Sequence, residues 1–288
     1  MDFPRLIKDK VDFYLNRSNI KISAGRYHSL ALDAYGRLYY FGSNIFGEKI
    51  IPSDLPKIVA ISAGGNHSLA LDVNGKVHAW VGDNKFVKIA VPPNLPRIVT
   101  ISAGGNQSLA LDVNGNVHAW VADNEYIKMD IQANLPRIVA ISAGGYHSLA
   151  LDVNGRIHAW GLNDSGQTDI PDHMPKIVGI SAGGYHSLAL DVDGRVHCWG
   201  SNHWGQCAIQ VDLPNIVAIS AGGYHSMALD VNGNVHTWGR NWGQMGVPAY
   251  LSKIVAISAG GYHCLALDVN GQIHSWGRVN WISNIPII

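Results

Sequence analysis

The chain has 288 residues, 21 basic and 21 acidic side chains and no formal net charge, which excludes a generic polyphosphate-binding groove with its basic excess. Charged residues make up only 15% of it, hydrophobic residues 47%, and there are 32 glycines, a profile of a tightly turned all-β protein rather than a disordered one. Cys198, Cys207 and Cys264 form no CxxC pair, so neither a disulfide framework nor a zinc knuckle is expected, and reduced thiols in an intracellular, cytoplasmic or nuclear protein are the plain expectation.

Residues 1–19 carry mixed charges and no apolar run, which argues against a secretory signal and suggests a short helix or latch. From residue 20 the chain repeats itself. Ser-Ala-Gly begins at Ser23, Ser62, Ser102, Ser142, Ser181, Ser220 and Ser258, at spacings of 38 to 40 residues. Each copy reads as strand A (IVAIS), strand B (HSLALDV), strand C (VHAW) and a shorter, variable strand D near TDIP. Gly-Gly after Ser-Ala is read as supplying backbone freedom for a tight A–B turn. Asn-Gly or Asp-Gly, as at Asn74-Gly75 and Asp193-Gly194, is read as a two-residue type I′ hairpin between B and C. Four antiparallel strands per repeat, seven times over, predict an all-β fold: a seven-bladed β-propeller spanning residues 20–288.

The conspicuous polar residues belong to the repeat. His28, His67, His147, His186, His225 and His263 precede Ser in strand B, with Gln107 in copy three. His78, His118, His158, His197, His236 and His274 stand two before Trp. A slot filled once per blade is expected to satisfy buried polar groups, and Gln107 would be a poor metal ligand, so neither a metal nor a cofactor is expected. Asp72–Gly75 and its copies look like the start of a calcium loop but lack the later ligands and the distal Glu. No GxSxG, HExxH or phosphate-binding glycine loop occurs, and an enzyme is not expected.

The residues that vary on this fixed scaffold are more informative. Alternating strand direction puts the A–B and C–D turns on one face. Before the histidine slot stand Tyr27, Asn66, Asn106, Tyr146, Tyr185, Tyr224 and Tyr262, an expected inner ring. At the C–D tips stand Phe46, Phe86, Tyr126, Ser165, Trp204, Trp242 and Trp281, an expected outer ring. Aromatic residues give large contact area at low entropic cost, so this face is the expected surface for a protein partner.

The motifs GGxHSLAL, D-x-[ND]-G and W-G-x-N-x-x-G-Q, intact at Gly144–Leu151 with Trp160–Gln167 and at Gly183–Leu190 with Trp199–Gln206, resemble the regulator of chromosome condensation repeat family. The short copies look most like the propeller-type β-lactamase inhibitor, a resemblance that favours the inner ring as partner surface. The namesake's activity, guanine-nucleotide exchange on a small GTPase, is the alternative function the resemblance implies. That activity uses an inserted wedge, whereas no copy here exceeds 40 residues. Copies two and three depart from the pattern, with Val81 and Val121 after the strand-C tryptophan and no Gly-Gln turn. A monomeric protein-binding module without affinity for membrane or nucleic acid is the resulting expectation.

Overall fold

The computed structural model describes residues 20–42, 51–81, 89–121, 131–132, 134–241, 243 and 246–278. The expected helix or latch at 1–19 lies outside them. Seven antiparallel sheets follow one another along the chain, each with strands A, B and C in spatial order. In the second blade these are Ile58–Ala63, His67–Asp72 and Val77–Val81. Strand B is buried along its whole length in every blade, because each blade is covered on both faces by its neighbours. The apolar clusters accordingly lie between blades: Leu69 and Leu71 of blade two pack with Ile98, Ala110 and Trp120 of blade three. Leu265, Leu267 and Ile273 of blade seven pack with Ile20 and Ala31 of blade one, so the core closes on itself as a seven-bladed β-propeller.

Three sets of hydrogen bonds run from blade to blade, and the first two run unbroken round the circle. In the first, the N–H groups of Arg26, Gly65, Gly105, Gly145, Gly184, Gly223 and Gly261 donate to the carbonyls of Gly64, Gly104, Gly144, Gly183, Gly222, Gly260 and Gly25, at 2.8 to 3.0 Å. In the second, the strand-A serine hydroxyl accepts from the alanine N–H of the next blade, ending with Ala24 N–H on Ser258 Oγ at 2.9 Å. In the third, the strand-B histidine Nε2 meets the next blade's serine, from His28 with Ser68 at 2.9 Å to His263 with Ser29 at 2.7 Å. Blade seven is thus joined to blade one by all three kinds of bond.

Four expectations change. Among the described residues each sheet has three strands, not the expected four. In copies four and five, where the segment after strand C is wholly described, no fourth strand pairs. The segment is tied across blades instead: the Gln167 carbonyl accepts from Ser187 Oγ at 2.8 Å and Trp199 Nε1 at 3.0 Å, and the Gln206 carbonyl does the same for Ser226 and Trp238. The B–C connection has three residues rather than two. Gly75 N–H donates to Asp72 O and Asp72 N–H to Lys76 O, a type I turn followed by Gly75 at φ +84°. The Asp72 carboxylate holds that turn, accepting from Asn74 N–H, Lys76 N–H and His78 Nε2.

The paired glycines of the A–B turn, third, are absent from the left-handed region. They are needed for space: a Cβ on Gly64 would stand 2.6 Å from Gly104 O and 2.8 Å from His67 Cε1. Fourth, Cys198 and Cys207 are disulfide-bonded, with Cα atoms 5.3 Å apart, rather than reduced. Cys198 sits in strand C and Cys207 directly after the Gly205-Gln206 turn, which doubles back beside it, a proximity that spacing alone does not reveal.

Candidate functional site

The fold brings the seven A–B turns to one mouth of the central channel. Ala-Gly-Gly segments of six blades and Ala24-Gly25-Arg26 of the first line a cavity of about 160 Å³, bordered by Asn66, Asn106, Tyr146, Tyr185, Tyr224 and Tyr262. The backbone N–H that follows each described strand C donates to the carbonyl of the ring residue: Leu162 to Tyr146, Ser201 to Tyr185, Arg240 to Tyr224 and Arg278 to Tyr262. A–B and C–D turns therefore share one face, as alternating strands require. The B–C hairpins meet the connections into strand A on the other, as where Val73 N–H donates to Lys57 O.

The expected inner ring is a physical ring with two sectors. Tyr146, Tyr185, Tyr224, Tyr262 and Tyr27 follow one another with centroids 5.5 to 6.3 Å apart, within the range of favourable aromatic pairs. Asn66 and Asn106 fill the rest, joined by an amide hydrogen bond of 3.1 Å. All seven side chains are half-buried. The asparagines belong to blades two and three, which also carry Val81 and Val121 in place of glycine, so these departures gather in one sector.

Sequence reasoning missed Arg26. Six copies place a glycine at its position, namely Gly65, Gly105, Gly145, Gly184, Gly223 and Gly261. A Cβ on any of them would press on a backbone carbonyl of the next blade. Copy one alone carries a side chain there, and the signal was a break in the repeat within the Ser-Ala-Gly-Gly run. The Arg26 guanidinium lies 5.1 Å from the Tyr27 ring centroid and donates to the Tyr262 hydroxyl. Burial alone would raise the Tyr262 phenol, but the hydrogen bonds to Arg26 and Tyr27 and the charges of Arg26 and Arg278 together outweigh it and hold the group below the ordinary phenol range. Tyr185, farther from that charge, is pushed up to about 12 by burial and then by Tyr146.

Of the expected outer ring, Phe46, Phe86, Tyr126, Trp242 and Trp281 lie outside the described residues. Trp204 is described. It is 46% exposed, with the Arg240 guanidinium 3.5 Å above its ring and 5.9 Å from the Tyr224 centroid. Arg240 thus links the outer aromatic to the inner ring. Such close stacking on tryptophan is among the stronger cation–π geometries.

The histidines take the places the repeat reading gave them. Those of strand C bond the hairpin aspartates, as in His197 with Asp191 at 2.8 Å, and Tyr39 substitutes in copy one. Gln107 differs from the expected replacement: its amide donates to Gly144 O and His147 O, and Ser148 Oγ has no partner among the described residues. In blade seven Cys264 takes the serine place, its Sγ 3.2 Å from His225 Nε2. Burial pushes that thiol up and the imidazole down to about 3, so the pair is neutral, the opposite of an activated thiolate. Among the described residues no cluster of three or more His, Cys, Asp or Glu is placed to hold a metal ion. No described helix is long and apolar enough to cross a membrane.

The model of the regulator of chromosome condensation (RCC1) repeat matches residues 20–48, 58–86, 138–167, 177–206, 216–241 and 254–280, more than half of the chain. The third copy is not matched, although its sheet has the same three strands as the others. No curated protein sequence matches the chain. Among solved structures, it is similar to yeast RCC1 (Prp20) in its complex with Kap60, at 25% identity and TM-score 0.66, over 78% of this chain and 71% of that one. A second structure of Prp20p from Saccharomyces cerevisiae, described with its binding to Gsp1p and histones, gives 21% identity and TM-score 0.72, over 90% and 82%. The ectodomain of the Physcomitrella patens receptor kinase CR4 gives 22% and 0.74, over 90% and 74%. With its seven repeats closed into a propeller and six of them matched by the family model, the chain belongs to the regulator of chromosome condensation repeat family.

Proposed function

We propose that the chain is a non-catalytic protein-interaction module that holds a protein partner on the face carrying the A–B and C–D turns. The observation that carries this reading is the half-buried arc of five tyrosines around the channel mouth, extended outward through Arg240 to Trp204. Tyrosine, tryptophan and arginine are the side chains that dominate binding hot spots. The mouth itself, at about 160 Å³, is smaller than the roughly 300–1,000 Å³ of small-molecule sites. It suits a single side chain of a larger partner. The similar yeast protein is described with protein partners, Kap60 in one case, Gsp1p and histones in another.

The test replaces Tyr146, Tyr185 and Tyr224 together with Ala. Affinity capture with the wild-type protein from its native host identifies the partner, and the triple variant is then measured against that purified partner. Loss of three central aromatics at about 1–2 kcal/mol each predicts weakening of roughly 100-fold or more. Unchanged affinity places the partner elsewhere and defeats the reading. Regulation of a small GTPase is a narrower version, which the likeness to Prp20 favours. Accelerated nucleotide release from a candidate GTPase would support it, and an unchanged rate across such a set would remove it.

A further inference from the structure

We infer that the channel mouth around Arg26 is a carboxylate-binding site, which takes an aspartate or glutamate side chain from a loop of the protein partner. The inference rests on the interaction reading above and gives its site a chemistry.

Among the described residues lining the cavity, Arg26 is the one charged side chain. It stands in the repeat position that six other copies keep as glycine for lack of space, so the cation breaks the pattern where the pattern is tightest. Its guanidinium is solvent-accessible and sits at the rim beside Tyr27 and Tyr262. Guanidinium offers five N–H donors in a planar fork, so bonding Tyr262 leaves donors for a bidentate carboxylate. Arg240 and Arg278, on blades six and seven, begin directly after strand C beside Tyr224 and Tyr262. Arg278 acts electrostatically on Tyr262, and Arg26 on Tyr185. Three consecutive blades, six, seven and one, therefore bring cations to one side of the mouth.

The glycine backbone decides which kind of carboxylate fits. Peptide C-termini are commonly captured by converging backbone N–H groups. Here the second N–H of each A–B turn is already donated to the next blade's carbonyl, all the way round the ring. Those seven N–H groups cannot cradle a chain end, which turns the choice toward the side-chain donors of the mouth. Those suit an acidic side chain whose own backbone stays above the tyrosines.

The test is an NMR titration of the labelled full-length protein, following the Arg26 Nε–Hε resonance. Probes are acetyl-Gly-Glu-Gly-amide, the same peptide with Gln, acetyl-Gly-Gly-Gly with a free C-terminus, and inorganic phosphate. A saturable shift is expected with the glutamyl peptide, at least tenfold weaker binding of the other three, and loss of the response in Arg26→Gly. For that variant a second, resolved tyrosine ring resonance of the mouth replaces the arginine signal. Arg26→Gly restores the residue of the other copies and should fold, which a circular dichroism melt checks. Equal binding of the Glu and Gln peptides overturns the inference. So does equal or tighter binding of phosphate or the free C-terminus, or an unchanged response in Arg26→Gly. If Arg26→Gly holds the purified partner normally while the tyrosine variant loses it, this inference fails and the interaction reading stands.

Discussion

Acidification from pH 7.5 to 5 should unfold the propeller. Six strand-B histidines are sealed between blades, their pKa values pushed down by burial to about 3 at His28, His186 and His225 and to about 4 at His67, His147 and His263. The unfolded chain takes up a proton on each near pH 6.5, whereas the folded chain does not. Their contribution to stability is therefore fully present above pH 6.5 and is lost as pH falls below it. Each costs up to about 1.4 kcal/mol per pH unit, about 2 kcal/mol by pH 5. Six together approach the roughly 5–15 kcal/mol stability of a typical domain. The hairpin aspartates of blades one to six add to this only lower down. Their folded values are depressed, to about 2 at Asp112, because hydrogen bonds outweigh burial, so their contribution is lost as pH drops through and below the ordinary carboxylate range. Urea midpoints at pH 7.5, 6.5 and 5.5 check the slope. His147→Gln, copying Gln107, should reduce it by about one proton. A midpoint independent of pH would mean that the histidines protonate in place.

The second large effect concerns glycine. Gly144→Ala should cost roughly 3 kcal/mol or more, because its Cβ would stand 2.5 Å from Gly183 O and 2.8 Å from His147 Cε1. The carbonyl is backbone fixed in the inter-blade ring and has nowhere to move. Gly179→Ala is the internal control. There the nearest atom is Leu190 Cβ at 3.5 Å, other copies already carry alanine, and the change should be neutral or stabilising by about 0.4–1 kcal/mol. Paired thermal melts separate the two. Equal effects would mean that backbone entropy, not the close approach of blades, explains the glycines.

The repeat made strands, blade number and the structural place of the histidines legible, because each is stated seven times. Tyr27, Tyr146, Tyr185, Tyr224 and Tyr262 were legible as a ring for the same reason. Other features depend on contacts between copies that no single copy displays. The A–B glycines look like turn residues within one blade and show their purpose only against the next blade's carbonyl. In copies four and five the segment expected as a fourth strand is tied across the blade interface instead, through the Gln167 and Gln206 carbonyls. Blades two and three lack the Gly-Gln turn, and the following blades' Trp120 and Trp160 have Nε1 atoms with no acceptor among the described residues. Arg26 was visible as a letter out of place, but its meaning depends on the mouth that seven turns build together.

That division between residues that make the ring and residues the ring presents is open to one direct measurement, the thermal unfolding of the Tyr146→Ala, Tyr185→Ala, Tyr224→Ala protein. Three aromatic pairs at about 1 kcal/mol each predict a Tm lowered by less than about 10 °C, with the far-ultraviolet spectrum unchanged. A chain that is unfolded, or melts far lower than that, would show the tyrosines to be packing residues and would contradict a mouth kept for binding.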